Sequence, residues 1–77
     1  MFRTLVKSEA VTVYNRHLTI TYFELFTGRG LKRYSLEILI APGDRIILDD
    51  DSIVKLEARA ARLVPATVYS RMLARTA

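Results

Sequence analysis

The sequence predicts an α+β domain: a three- to four-stranded antiparallel β-meander, followed by two C-terminal α-helices packed on one sheet face. Two observations carry this prediction. Up to residue 48, segments of alternating apolar and polar residues are separated by short turn sequences. After the acidic run at residues 49–51, apolar residues recur at steps of three and four, which is typical of an amphipathic helix. The 77 residues therefore form a single small domain with a thin core.

The composition excludes several classes of site and points to an interface. The chain has no cysteine and one histidine, so it offers neither a disulfide framework nor a thiolate or multi-histidine metal site. Hydrophobic residues make up 51% of the chain and the mean hydropathy is +0.16, which is high for a lone small domain. We therefore expect part of the apolar surface to meet another chain. No segment resembles a signal peptide or approaches the roughly 18 apolar residues of a membrane span, which favours a cytoplasmic protein without membrane contact.

The first strands are predicted from their alternation and from one turn signal. Residues 2–6 fit a short edge strand, and residues 9–14 alternate cleanly. A two-residue turn at Asn15 and Arg16 would lead into the middle strand, residues 17–26, because asparagine tolerates the positive φ of a tight hairpin. The resulting pairs are Tyr14 with His17, Val13 with Leu18, Thr12 with Thr19, and Val11 with Ile20.

The third and fourth strands follow from the same argument. Residues 31–40 form a strand with one apolar face. This face lies beside the apolar face of the middle strand whether the connecting loop is residues 27–31 or residues 27–29, and the sequence does not choose between the two. A turn at residues 41–44, with proline second and glycine third, leads to a short strand at residues 45–48. The five-residue loop pairs Leu18 with Ile40, Ile20 with Ile38, and Tyr22 with Leu36.

Two helices are predicted at the C-terminal end. One of the aspartates at residues 49–51 should cap the first helix, residues 51–64, and the others complement its dipole. Pro65 disfavours helix at the residue before it but suits a first turn, so a second helix, or a continuation after a kink, is expected at residues 65–75. The predicted inward residues are Ile53, Leu56, Ala60 and Leu63 in the first helix, and Val68, Tyr69, Met72 and Leu73 in the second.

Three features that resemble chemical sites have simpler structural explanations. The acidic run with Asp44 lacks the ligand spacing of a calcium loop, so capping explains it and no metal is predicted. The glycine-rich loop at residues 27–30 joins two strands instead of opening a helix, so it is interpreted as a hairpin turn. His17 has no nucleophile or orienting carboxylate beside it in the sequence, so it is interpreted as an ordinary strand residue. No catalytic residue and no cofactor are predicted.

The leading functional hypothesis is a non-catalytic protein-interaction module, with itself as a homodimer, or another protein, as the partner. Several apolar residues also lie on the second face of the predicted sheet, where a partner would cover them. The candidate interface residues are Tyr14, Phe23, Leu25 and Leu39.

The alternative hypothesis is a small nucleic-acid-binding protein, since the chain carries a net charge of +4 with a calculated pI near 9.9. Basic residues are concentrated in the loop at residues 28–33 and on one face of the predicted helices. The candidate anion or nucleic-acid contacts are Arg29, Lys32, Arg33, Arg59 and Arg62. Such binding would weaken steeply with salt, and removing charge at Lys32 and Arg33 would flatten that dependence.

Overall fold

A computed structural model of the chain describes the backbone of residues 2–76 and the side chains of residues 2–74. It shows a four-stranded antiparallel sheet with the strands in chain order, followed by one helix. The α+β meander with a C-terminal helical region is therefore confirmed, and the second helix is not. The elements are β1 (Arg3–Val13), β2 (Arg16–Phe26), β3 (Lys32–Ala41), β4 (Asp44–Asp50) and α1 (Ile53–Thr76).

The first hairpin turns one residue earlier than predicted. Its turn residues are Tyr14 and Asn15, with φ of 49° and 65°, and Val13 is paired with Arg16. Tight hairpins of this type need positive φ at both turn positions, and the predicted turn would have imposed it on Arg16. The register is consequently shifted by two, so that Val11 lies opposite Leu18. A shift of two keeps every side chain on its predicted face.

The second and third turns agree with the prediction. The pairs Ile20 with Ile38 and Tyr22 with Leu36 are present, so the five-residue alternative for the loop at residues 27–31 is confirmed. In the turn between β3 and β4, Gly43 has a φ of 79° and follows Pro42. Glycine adopts that angle without strain, which explains its place in this turn.

β1 is one long strand, and Lys7 and Ser8 do not interrupt it. The pairing changes between Leu5, opposite Phe23, and Lys7, opposite Tyr22, so Val6 forms a β-bulge. A bulge inserts one residue and reverses the facing of the side chains that follow it. As a result Leu5 lies on one face of the sheet and Lys7 on the face that carries the helix.

α1 runs through Pro65 without a break, which corrects the prediction of two helices. Proline removes one helical hydrogen bond, but the packing of residues on both sides of Pro65 against the sheet keeps the helix continuous. The cap is also different, since Ser52 precedes the helix and its hydroxyl accepts a hydrogen bond of 3.4 Å from the Lys55 amide. Asp49 and Asp50 belong to β4 instead.

The core lies between one face of β2 and β3 and a single line of helix residues spaced by four. The buried side chains are Leu18, Ile20, Tyr22, Leu36, Ile38, Ile40, Leu56, Ala60, Val64 and Val68. Two predicted inward residues on the helix, Tyr69 and Leu73, are about half exposed, and Leu63 is 40% exposed. The buried line continues along the helix as Val64, Val68 and Met72, so the face turned towards the sheet differs from the predicted one.

Candidate functional site

An open cleft separates β1 from the helix on the helix-bearing face of the sheet. α1 packs closest to β3 and β4, so the inward side chains of β1 are only partly covered. The cleft has a volume of about 290 Å³, close to the lower limit for small-molecule pockets. Its lining consists of Glu9, Val11, Val13, Ile20, Tyr22, Glu57, Ala60, Ala61, Val64 and Pro65. The cleft is thus mainly apolar, with carboxylates towards one end.

That polar end is organised by Lys7, which the bulge at Val6 turns towards the helix. Its Nζ lies 2.9 Å from Glu9 Oε1 and 3.0 Å from Glu57 Oε1, and 5.0 Å from the ring centre of Tyr22. Hydrogen bonds to Glu9 and Glu57 raise the pKa of Lys7 well above its usual value. Burial raises the pKa of the Tyr22 hydroxyl. Both groups therefore keep their protons at neutral pH, and Lys7 ties β1 to the helix.

The other connection between β1 and the helix is an aromatic pair. Tyr14, the residue after Val13, places its ring 5.8 Å from the ring of Tyr69, one helical turn beyond Pro65. The planes are inclined by 46°, a favourable tilted arrangement. This contact helps to explain why a tyrosine occupies the left-handed region at the turn. It also places Tyr14 on the helix side of the sheet, away from the other three residues of the predicted interface.

The outer edge of β1 presents unpaired backbone groups to solvent. Residues that flank a two-residue turn exchange both backbone hydrogen bonds, and Val13 and Arg16 hold these positions. Counting back from Val13, the odd-numbered residues bond to β2, whereas Ser8, Ala10 and Thr12 direct their N–H and C=O groups away from it. Their side chains are small, uncharged and exposed. Such an edge is a template for an added strand.

Three of the predicted interface residues lie on the open face, which is the sheet face without a helix. Leu39 is 55% exposed, whereas Phe23 and Leu25 are half-buried. The Arg3 guanidinium lies 4.0 Å from the ring centre of Phe23 and also donates to Glu37 across the sheet. These contacts cover Phe23 with charged groups from the same chain, so the open face is more polar than its sequence pattern indicated.

The five predicted anion contacts are spread over the loop, both faces of the sheet and the helix. Lys32 pairs with Glu24 at 3.7 Å on the helix side, and Arg33 donates twice to Asp49 on the open face. Arg59 binds the Asp49 carbonyl and the Asp50 carboxylate, at 2.7 Å and 3.3 Å. Within the described side chains, only Arg29 and Arg62 of this set have no carboxylate partner.

The glycine-rich loop is held by hydrogen bonds from its own backbone amides. The amides of Arg29 and Leu31 donate to the Thr27 hydroxyl, at 3.3 Å and 3.2 Å, and the Gly30 amide donates to the Thr27 carbonyl. Gly30 has a φ of 76°, as the predicted hairpin turn requires. Amides that are already bonded within the turn do not form a cradle for phosphate.

The acidic run does not converge on one point. Asp49 and Asp50 are successive strand residues, so their side chains point to opposite faces, where they pair with Arg33 and Arg59. Asp51 pairs with Lys55 at 3.3 Å. Within the part of the chain that the structure describes, no three acidic or histidine side chains are grouped to hold a metal ion. His17 lies exposed on the open face and shares a hydrogen bond of 3.1 Å with the Thr12 hydroxyl.

Ion pairing across the molecule is complete for the acidic residues. All eight acidic side chains have a lysine or arginine within 4.0 Å; the one pair not yet named is Asp44 with Arg71. Hydrogen bonding to Asp44 raises the pKa of Arg71. The net positive charge therefore resides in arginines outside these pairs.

Searches against protein-family models, curated proteins and solved structures found no match to this chain. Among residues 2–76, α1 is not apolar enough over a sufficient length to cross a membrane. The bare edge of β1 and the adjoining cleft are therefore the candidate site on geometry alone. Sequence reasoning missed both, because residues 2–6 and 9–14 were predicted as separate segments instead of one long edge strand, and because the offset of the helix leaves no local pattern.

Proposed function

We propose that this chain is a non-catalytic protein-interaction module in which the edge of β1 accepts an added strand from a partner polypeptide. The observation that carries the proposal is the combination, at one edge, of unpaired backbone groups and an uncovered apolar cleft. Strand addition supplies main-chain hydrogen bonds, and a neighbouring apolar pocket supplies side-chain contacts. A second copy of the chain is the expected partner, in agreement with the high apolar content.

The edge of β1 lacks the usual protection against pairing. Edge strands are commonly blocked by proline, by outward charges or by lysine. β1 contains no proline, and its lysine in this region, Lys7, is held inward by Glu9 and Glu57. The bulge at Val6 limits pairing only towards the N-terminal end of the strand. The segment from Lys7 to Val13 therefore remains open to a partner.

Nucleic-acid binding is less well supported by the arrangement of the basic residues. Three of the five candidate contacts, Lys32, Arg33 and Arg59, are engaged by carboxylates, and the loop amides are bonded internally. Titration with single-stranded oligonucleotide at low and high salt would detect the steep salt dependence that this alternative requires.

The test is the mass in solution, measured by size-exclusion chromatography with light scattering at low and high salt. We expect the unaltered chain to elute at twice its 8.8 kDa in both conditions, because backbone pairing and apolar contacts depend little on salt. Ala10→Pro removes an outward N–H without breaking a bond to β2, so we expect it to reduce the mass to that of the monomer. Ala10→Ser keeps the N–H and serves as the matched control. A monomeric unaltered chain, or a dimer that Ala10→Pro leaves intact, would contradict the proposal.

A further inference from the structure

We infer that two copies of this chain pair through their β1 strands in antiparallel orientation, with Ala10 opposite Ala10 of the partner subunit at a two-fold axis. This inference rests on the proposed function and specifies its partner and register. The pairing would join the two sheets into one of eight strands. It would also bring the two clefts together on one face, so that each copy completes the uncovered surface of the other.

The register follows from the length of regular strand that is available. Val6 interrupts the regular pairing on one side, and the turn begins at Tyr14 on the other, which leaves Lys7 to Val13. Two such seven-residue segments overlap completely only when their midpoints, both Ala10, coincide. Every other register either pairs fewer residues or carries the partner strand across a bulge.

The outward backbone groups match this register. In it, Ser8 lies opposite Thr12 of the partner subunit, and Ala10 opposite the partner's Ala10. Each of these residues directs its N–H and C=O outwards, so the pairs fall at hydrogen-bonded positions of the new ladder. Their side chains lie on the open face and are small, so they leave room for a close approach.

The charges also favour this register over those shifted towards the N-terminus. A shift of one residue in each strand towards the N-terminus sets Glu9 directly opposite the partner's Glu9, and a shift of three sets Lys7 opposite the partner's Lys7. Like charges in direct opposition destabilise a ladder. With Ala10 at the centre, Glu9 faces the partner's Val11 and Lys7 faces the partner's Val13. The aliphatic stem of Lys7 then covers the valine while its ammonium stays with Glu9 and Glu57.

The pairing accounts for the cleft. Val11 and Val13 line it but are only partly buried, since the helix lies over β3 and β4. In the dimer, the inward side chains of a second β1 lie beside these two valines. An apolar surface that is left open in one copy is thereby covered in the pair.

Because the chain has no cysteine, single introduced cysteines provide a direct test. Hydrogen-bonded antiparallel partners have Cα atoms about 5.5 Å apart, within the roughly 4.4–6.8 Å range of disulfides, so Ala10→Cys should form a cross-linked dimer on mild oxidation. Thr12→Cys is the matched control on the same edge. Its two copies would stand four residues out of register, about 14 Å apart, so we expect at least about tenfold slower cross-linking.

The outcomes separate the register from the proposed function. Faster cross-linking of Ala10→Cys than of Thr12→Cys supports the inference. Equal or faster cross-linking of Thr12→Cys overturns the register. Absence of cross-linking in both variants, with a solution dimer that Ala10→Pro dissociates, overturns the paired arrangement but leaves strand addition at β1 in place. A dimer that Ala10→Pro leaves intact overturns both.

Discussion

The two edges of the sheet are built differently. β4 is seven residues long and four of them are charged, namely Asp44, Arg45, Asp49 and Asp50. β1 is eleven residues long with three charges, and none lies between Ala10 and Val13. The helix reaches β4 through Arg59, which binds the Asp49 carbonyl, and through Arg71, which pairs with Asp44. Charges and helix therefore obstruct pairing at β4.

Between the ion pair of Lys7 with Glu57 and the aromatic pair of Tyr14 with Tyr69, the inward side chains of β1 are only partly covered by the helix. Small domains commonly protect both edges against unwanted pairing. Protection of one edge alone confines association to the other, so the asymmetry itself limits which assemblies can form. A single open edge gives a closed dimer by two-fold pairing, whereas two open edges would permit a continuous fibre.

The largest effect is expected where the helix covers the sheet. Leu56 is fully buried against β3 and β4, and Leu56→Ala should lower the free energy of unfolding by about 2–5 kcal/mol because it leaves a cavity. Val54→Ala is the control, since Val54 is 72% exposed on the same helix, and we expect a change within about 0.5 kcal/mol. Urea unfolding at one fixed protein concentration measures both. Similar losses of unfolding free energy in the two variants would show that the helix does not pack on β3 and β4 as the structure has it.

A charge added to each edge sharpens the comparison. Ala10→Lys sets two like charges opposite each other at the proposed two-fold axis, so we expect self-association to weaken at least tenfold, or about 1.4 kcal/mol. Ile47→Lys places the same charge on β4, at a residue that is 60% exposed on the open face, and should leave the dissociation constant unchanged. Sedimentation equilibrium measures that constant. The reverse result would locate the interface on the open face.

The turns that attach the two edge strands should be about equally sensitive. Asn15 has a φ of 65° in the turn after β1, and Gly43 has a φ of 79° in the turn before β4. Alanine resists the left-handed region by about 1–2 kcal/mol, so Asn15→Ala and Gly43→Ala should each lower the free energy of unfolding by about 1 kcal/mol. Urea midpoints test this, with Asn15→Gly as the control that keeps the angle accessible. A normal midpoint for Asn15→Ala would argue against the turn geometry.

The smallest expected effects concern the pH dependence of the free energy of unfolding, which has opposite directions for Asp50 on β4 and Lys7 on β1. Hydrogen bonding with Asp51 and Arg59 lowers the pKa of Asp50 below 3.8, so its contribution to stability is present above that value and is lost as the pH falls. The pKa of Lys7 is raised above 10.5, so its contribution is present below that value and is lost at strongly alkaline pH.

Urea unfolding across the pH range tests these signs. Asp50→Asn should reduce the loss of stability in acid, and Lys7→Met should reduce the loss in alkali. Both effects should be modest, because the two groups are solvent-accessible. A Lys7→Met variant that loses as much stability in alkali as the unaltered chain would contradict the role given to Lys7.

The parts of the fold that the sequence predicted are those determined by alternation. The alternation of side chains along each strand was enough to place four residues on one buried face, namely Leu18, Ile20, Leu36 and Ile38. The error in the first turn did not change this placement, because a register shift of two residues keeps each side chain on the same face. The single helix was missed because Pro65 is a local signal for a break. Packing of Val64 and Val68 on either side of it outweighs the lost hydrogen bond.

The site was less predictable than the fold. Exposure of Tyr69 and burial of Val64 depend on the angle at which the helix crosses the sheet, which spacing along the chain does not define. The bulge at Val6 has no glycine to signal it, yet it determines the direction of Lys7. Phe23 was correctly placed on the second face, but the covering Arg3 comes from a strand that the sequence indicated only weakly.

The complete pairing of the carboxylates has a consequence for how the surface responds to its surroundings. Among the described side chains, the cations without a carboxylate partner are Arg16, Arg29, Arg45 and Arg62. All four are arginines, and the guanidinium group is always charged in proteins. Physiological acidification or alkalinisation therefore leaves this excess charge constant. Only ionic strength modulates its reach, over roughly 8 Å at physiological salt.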